Sequence, residues 1–177
     1  MSAATLLRSL LAYQTWANDE LLEKLAGRLD PRRNGVEHRA ALRLMNHIHV
    51  VSRIFAAHLT GVAHGYASDN TEETPEPAEL RAAMAESDRW YLDYLETVSE
   101  QQLAEPVAFT FTDGDKGCMT RQEMLTHVVL HGSYHRGEIG RMLAAIAVTP
   151  PWDTYAVHLH QVEPSRRLHC EPGPLDA

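Results

Sequence analysis

Apolar residues recur at helical spacing along most of the chain, and polar positions inside those stripes carry its candidate chemistry. Leu6, Leu10, Ala17, Leu21 and Leu25 form one stripe, which predicts a first helix over residues 2–27, closed by Asp30-Pro31. Gln14 falls within that stripe, either as a core amide or as a polar group lining an internal pocket. Asn34-Gly-Val-Glu37 has the form of a capping box and opens a second helix, predicted to run to about Gly61. Its stripe is Leu44, Ile48, Val51, Phe55, Leu59 and Val62; His47 and His58 lie on one flank, and His49 points the other way. His47 and His58 are about 16 Å apart along a helix axis, too far to share one ion.

Residues 64–77 are polar, acidic and proline-containing, which reads as a loop. Pro77 suits the first turn of a third helix, whose inward stripe is Leu80, Met84, Ser87, Tyr91, Leu95 and Val98. Ser87 marks either a close helix contact or a pocket. Over residues 105–119 the helical period breaks. Phe109-Thr-Phe111-Thr alternates and Asp113-Gly114 is a turn signal, which predicts a short hairpin or extended crossover. Thr120-Arg-Gln-Glu123 is a capping box for a last long helix, stopped near Val148 by Pro150-Pro151. Four long amphipathic segments point to an all-α fold, a four-helix bundle with a long, partly extended connection between the third and fourth helices. The bundle is expected over residues 1–149. Residues 150–177 are expected to be a proline-rich tail, with a short helix near 153–162, surface histidines at His158 and His160, and a poorly ordered end.

Composition narrows the function. A chain of 177 residues suits one domain with a real core. A net charge of −8 removes the electrostatic footprint of a nucleic-acid binder, and Arg32-Arg33 and Arg166-Arg167 are isolated pairs. No apolar run approaches the length of a bilayer span, and the leucines near the N-terminus read as helix, not signal peptide. Cys118 and Cys170 form neither a disulfide framework nor a CxxC site. A cytoplasmic location with no membrane partner is expected.

The densest chemistry lies in His127-Val-Val-Leu-His131-Gly-Ser-Tyr-His135-Arg-Gly-Glu-Ile. On a helix His135 falls near the middle of the apolar stripe, His131 at its edge and His127 toward the polar side. His131 and His135, one turn apart, can converge on one ion. Neutral imidazoles suit first-row divalent ions such as Zn²⁺ or Ni²⁺, with Fe²⁺ or Mn²⁺ as alternatives. His47 is the preferred third ligand, from the flank of the second helix. Three protein ligands leave a coordination position open, the mark of a catalytic site.

Tyr13-Gln-Thr-Trp-Ala-Asn-Asp-Glu-Leu-Leu22, Leu44-Met-Asn-His-Ile48 and Leu125-Thr-His-Val-Val-Leu-His-Gly-Ser-Tyr-His-Arg-Gly-Glu-Ile139 together resemble the DinB-like superfamily of metalloenzymes, over about residues 6–150. The resemblance implies an up-down-down-up bundle, a homodimer, and a metal held by His47, His131 and His135, with His47 selected over His58 and His49. Glu138 stands where relatives often have Gln. Some relatives conjugate low-molecular-weight thiols or isomerise with a thiol cofactor. The expected function is therefore a metal-dependent hydrolase or thiol S-transferase acting on a small molecule. The alternative is a non-catalytic, stress-associated protein with a structural or sensing metal. No general base is evident; Glu138, Gln14 and Tyr134 are candidates for a place in the pocket.

Overall fold

The computed structural model describes residues 2–27 and 31–169, the side chains of residues 31–34, 168 and 169 excepted. It is mostly helical. Four long helices carry the fold: α1 (Ala3–Gly27), α2 (Pro31–Thr60), α3 (Pro77–Thr97) and, after the short α4 (Glu100–Leu103) and a hairpin, α5 (Arg121–Ala145). The short α6 (Tyr155–Val162) and α7 (Arg166–His169) follow. α2 begins at Pro31, so Asn34 lies within the first turn and not before it as the capping-box pattern suggested. Proline is favoured at that first position, because the amide it lacks has no helical partner there. The helix ends before Gly61, whose φ of +72° is a left-handed conformation suited to glycine. Asp30, Cys170 and the last residues of the tail lie outside the described residues.

α5 starts on a full capping box: the Thr120 side chain accepts from the Glu123 amide, and the Glu123 carboxylate accepts from the Thr120 amide. Before it, β1 (Pro106–Thr110) and β2 (Lys116–Thr120) pair antiparallel, with Phe109 opposite Gly117. The Phe109 and Phe111 rings lie so close over Gly117 that any Cβ there would collide with them. The alternating stretch is thus a hairpin.

The long helices pack α1 on α3 and α5, and α2 on α5 and α3. Their inward positions form two apolar clusters, one around Leu11, Phe55, Tyr91 and Val128, the other around Leu22, Met45, Leu80 and Ile139. Of the predicted stripe, Leu10 packs partly buried against the first cluster but Leu6 is 45% exposed, while Leu7 and Leu11 are buried in it. α1 is leucine-rich on two adjacent faces there, so spacing alone cannot tell which one is buried.

A polar seam crosses the core between the two clusters. Gln14 and Asn18 from α1, Asp88 from α3 and Arg136 from α5 are all buried. Arg136 donates to Asn18 (3.0 Å) and, through Nε, to Asp153 (2.8 Å), while Asn18 donates to Asp88 (2.9 Å). Tyr13 also donates to Asp153, and Arg136 lies over the Tyr13 ring. Asp153 comes from the segment after Pro150-Pro151, which then forms α6 against α1 through a Ser9–Tyr155 hydrogen bond. His158 is buried there beside Tyr13 and Trp16, correcting its expected surface position. Ser87 donates to the Ala83 carbonyl of its own helix, a local structural role.

Two predictions follow from this seam. Asp153→Ala leaves a buried guanidinium without its carboxylate and should destabilise the protein by about 3–5 kcal/mol in urea unfolding. Burial raises the Asp88 pKa to about 6, opposed by the hydrogen bond from Asn18, the nearby Gln14 amide and the Arg136 charge. A pKa raised on folding favours the native state below the ordinary 3.8 and loses that contribution as pH rises through 6. Asp88→Asn should therefore gain on the native chain between pH 4 and 7, by up to roughly 2 kcal/mol. A stability difference that stays flat with pH would refute this assignment.

Candidate metal centre

α5 presents different chemistry on its two flanks. Gly132 and Arg136 turn to α1, where Gln14 comes within contact of Gly132. His131 and His135 turn to α2 and meet His47. Ring centroids are 4.9 Å apart for His47–His131, 4.7 Å for His47–His135 and 4.5 Å for His131–His135. One ligand-capable nitrogen from each of the three lies within 4.8 Å of the others. Of the histidines singled out in the sequence, these three converge and the rest do not. His49 lies near Ser87 of α3, and His58 packs among Phe55, His64 and Phe109. His127 is half-buried, contrary to its expected outward position. Its ring lies 4.5 Å from that of Phe55 and 5.5 Å from that of His131.

Hydrogen bonds settle which nitrogens face the centre. His47 Nδ1 donates to the Asp69 carbonyl at 2.8 Å, which leaves its Nε2 with a lone pair. That Nε2 stands 3.0 Å from His131 Nε2. Two ligands on one ion, with bonds of about 2.0–2.1 Å, would stand about 2.9 Å apart at a right angle and about 3.4 Å apart at a tetrahedral angle. The observed separation suits a shared cation. His135 Nδ1 is 2.6 Å from the Glu138 carboxylate, which fixes the ring and turns Nε2 to the free side. Burial, and then the neighbouring charges of His135, His47 and His127, hold the His131 pKa down to about 3. At neutral pH His131 is thus uncharged, the state in which an imidazole binds a divalent ion.

The loop of residues 61–76 completes the surroundings. Asn46, beside His47, donates to Asn70 and Thr71, and Arg43 donates to the Thr71 carbonyl. These bonds hold the loop on α2 and bring the Asp69 carbonyl to His47. Its part was invisible in the sequence, because a backbone acceptor leaves no residue signature. Glu138 was legible: three residues beyond His135, it shares that helix face. Its bond to His135 fixes the orientation of that imidazole. Tyr134 is 67% exposed, with its ring 5.0 Å from that of His135. Gln14 is buried against Gly132, on the α1 flank.

A carboxylate that accepts from a ligating imidazole raises its basicity and holds its orientation. Glu138→Ala should lower affinity for Zn²⁺ by about 10- to 100-fold, with little change in metal-free stability. Competition with a chromogenic chelator measures it; an unchanged affinity would deny Glu138 this role.

Among the described residues no helix is long and apolar enough to cross a membrane. No curated protein and no solved structure matches the chain. A family model described as DinB family matches residues 1–167, which takes in all three histidines, Arg136 and the segment carrying Asp153 and α6. The chain therefore belongs to the DinB family.

Proposed function

We propose that this chain is a metal-dependent enzyme acting on a small molecule, a hydrolase or thiol S-transferase, with His47, His131 and His135 holding one divalent ion. The observation that carries the reading is the convergence of three imidazoles from α2 and α5, two of them with Nε2 atoms 3.0 Å apart. We read the scaffold as an up-down-down-up four-helix bundle, with α2 and α5 as the pair that supports the site.

A divalent ion with three neutral ligands keeps its full charge and an open position, and lowers the pKa of a bound water or thiol. The chain's own residues prepare for that. The Asp69 carbonyl and the Glu138 carboxylate hold the His47 and His135 rings in place. Tyr134, largely exposed, packs against the His135 ring, and the reading gives it contact with an approaching substrate. Glu138 is engaged with His135, so the reading assigns it orientation and no proton transfer. The donor set suits Zn²⁺ or Ni²⁺ best, with Fe²⁺ or Mn²⁺ as alternatives. A cytoplasmic homodimer using a low-molecular-weight thiol belongs to the same reading.

Untagged protein should carry about one divalent ion per chain after reconstitution, and His131→Ala and His135→Ala should each lose it. Elemental analysis decides, and a wild type that retains no metal would sink the proposal. A screen of thiols with electrophiles, run beside ester, amide and phosphoester substrates, separates transferase from hydrolase. Inactivity throughout, together with a large fall in melting temperature on chelation, would instead indicate a structural ion.

A further inference from the structure

A second concave feature lies beside the histidine cluster. A groove of about 690 Å³ runs between the N-terminal half of α1, β2 and α5, within the range of small-molecule sites. Leu6, Leu10, Met119 and Leu130 supply much of its wall. Leu6 is 45% and Leu130 63% exposed, so both present hydrocarbon to water without covering one another. The polar groups at its edge are largely engaged. Thr126 donates to the Gln122 carbonyl, and the Glu123 carboxylate caps α5. Among the described residues no lysine or arginine lines the groove.

His127 lies on the boundary. It lines the groove, and its ring is 5.5 Å from that of His131. Leu130 and Tyr134, one turn apart, extend the exposed apolar surface along α5 from the groove to His135, against which Tyr134 packs.

We infer that the groove beside His127 binds the apolar part of a small-molecule ligand whose polar head is held at the His47–His131–His135 centre. The inference rests on the metal reading above and narrows its substrate class to amphiphiles with an alkyl or aryl portion. A compact polar substrate would leave the groove empty. A second copy of the chain is the competing occupant; the continuity with the histidine cluster through His127 favours the small molecule.

The test is calorimetric titration of Zn²⁺-loaded protein with alkanohydroxamates from acetyl to octanoyl, which pair a metal-binding head with a chain of graded length. Affinity should rise about three- to fourfold for each added methylene until the groove is full. Leu130→Asp, at an exposed position and so compatible with folding, should abolish most of that gain and leave acetohydroxamate binding unchanged. A chain-length series that is flat, or equally steep in Leu130→Asp, overturns the inference. So does a wild-type dimer that Leu130→Asp dissociates in sedimentation, because the groove would then be a subunit interface. If the protein retains no zinc, the metal reading fails on its own account. Metal-free protein titrated with 1-anilinonaphthalene-8-sulfonate then decides the groove: fluorescence enhancement lost in Leu130→Asp supports it, and no enhancement in the wild type overturns it.

Discussion

A buried guanidinium has to be paired, and much of this structure is arranged around that requirement at Arg136. Its side chain is fully enclosed, yet it reaches Asn18 on α1, and through Asn18 the Asp88 carboxylate on α3. On its other side it reaches Asp153, supplied by the segment after the double proline. One side chain thus joins three long helices and the tail. In a low-dielectric interior such a network tolerates few alternative arrangements, because sliding any element would strand a charge. That restriction gives α5 a defined rotation and height.

The histidine cluster depends on that rotation. His135 directly precedes Arg136, so the bond that fixes Arg136 toward α1 also directs His135 toward α2. About 100° separates neighbouring residues on a helix, enough for the two to serve different flanks. The cluster then needs only small adjustments, supplied by a carboxylate one turn along and by a loop carbonyl. Imidazoles already held at ligand spacing lower the reorganisation that binding a cation requires.

The outer surface of α5 follows from the same placement. With one flank committed to the polar seam and the other to the histidines, Leu130 and Tyr134 are left facing outward. They border the groove that begins among Leu6, Leu10 and Met119 and ends at His127. Among the described residues nothing covers that apolar surface, and it adjoins the histidines at His127.

The helices, the hairpin and the cap of α5 were legible in the sequence because each rests on local rules: helical spacing of apolar residues, Asp113-Gly114 at a turn, Thr120 and Glu123 three apart. The histidine set was legible in part. The i, i+4 pair on α5 is local, whereas the choice of His47 over His58 and His49 came from resemblance and depends on how α2 docks. Gln14 inside an apolar stripe announced the polar seam, and Asn18, one turn on, belongs to the same face. Tertiary structure alone decided that Leu7 and Leu11 bury while Leu6 does not, since both faces are equally apolar until α3 and α5 cover one of them. It also decided that His158 is enclosed by Tyr13 and Trp16 and that Asp153 closes on Arg136. Those contacts join residues more than a dozen positions apart, and a partner at that distance is set by how the chain packs, not by any local pattern.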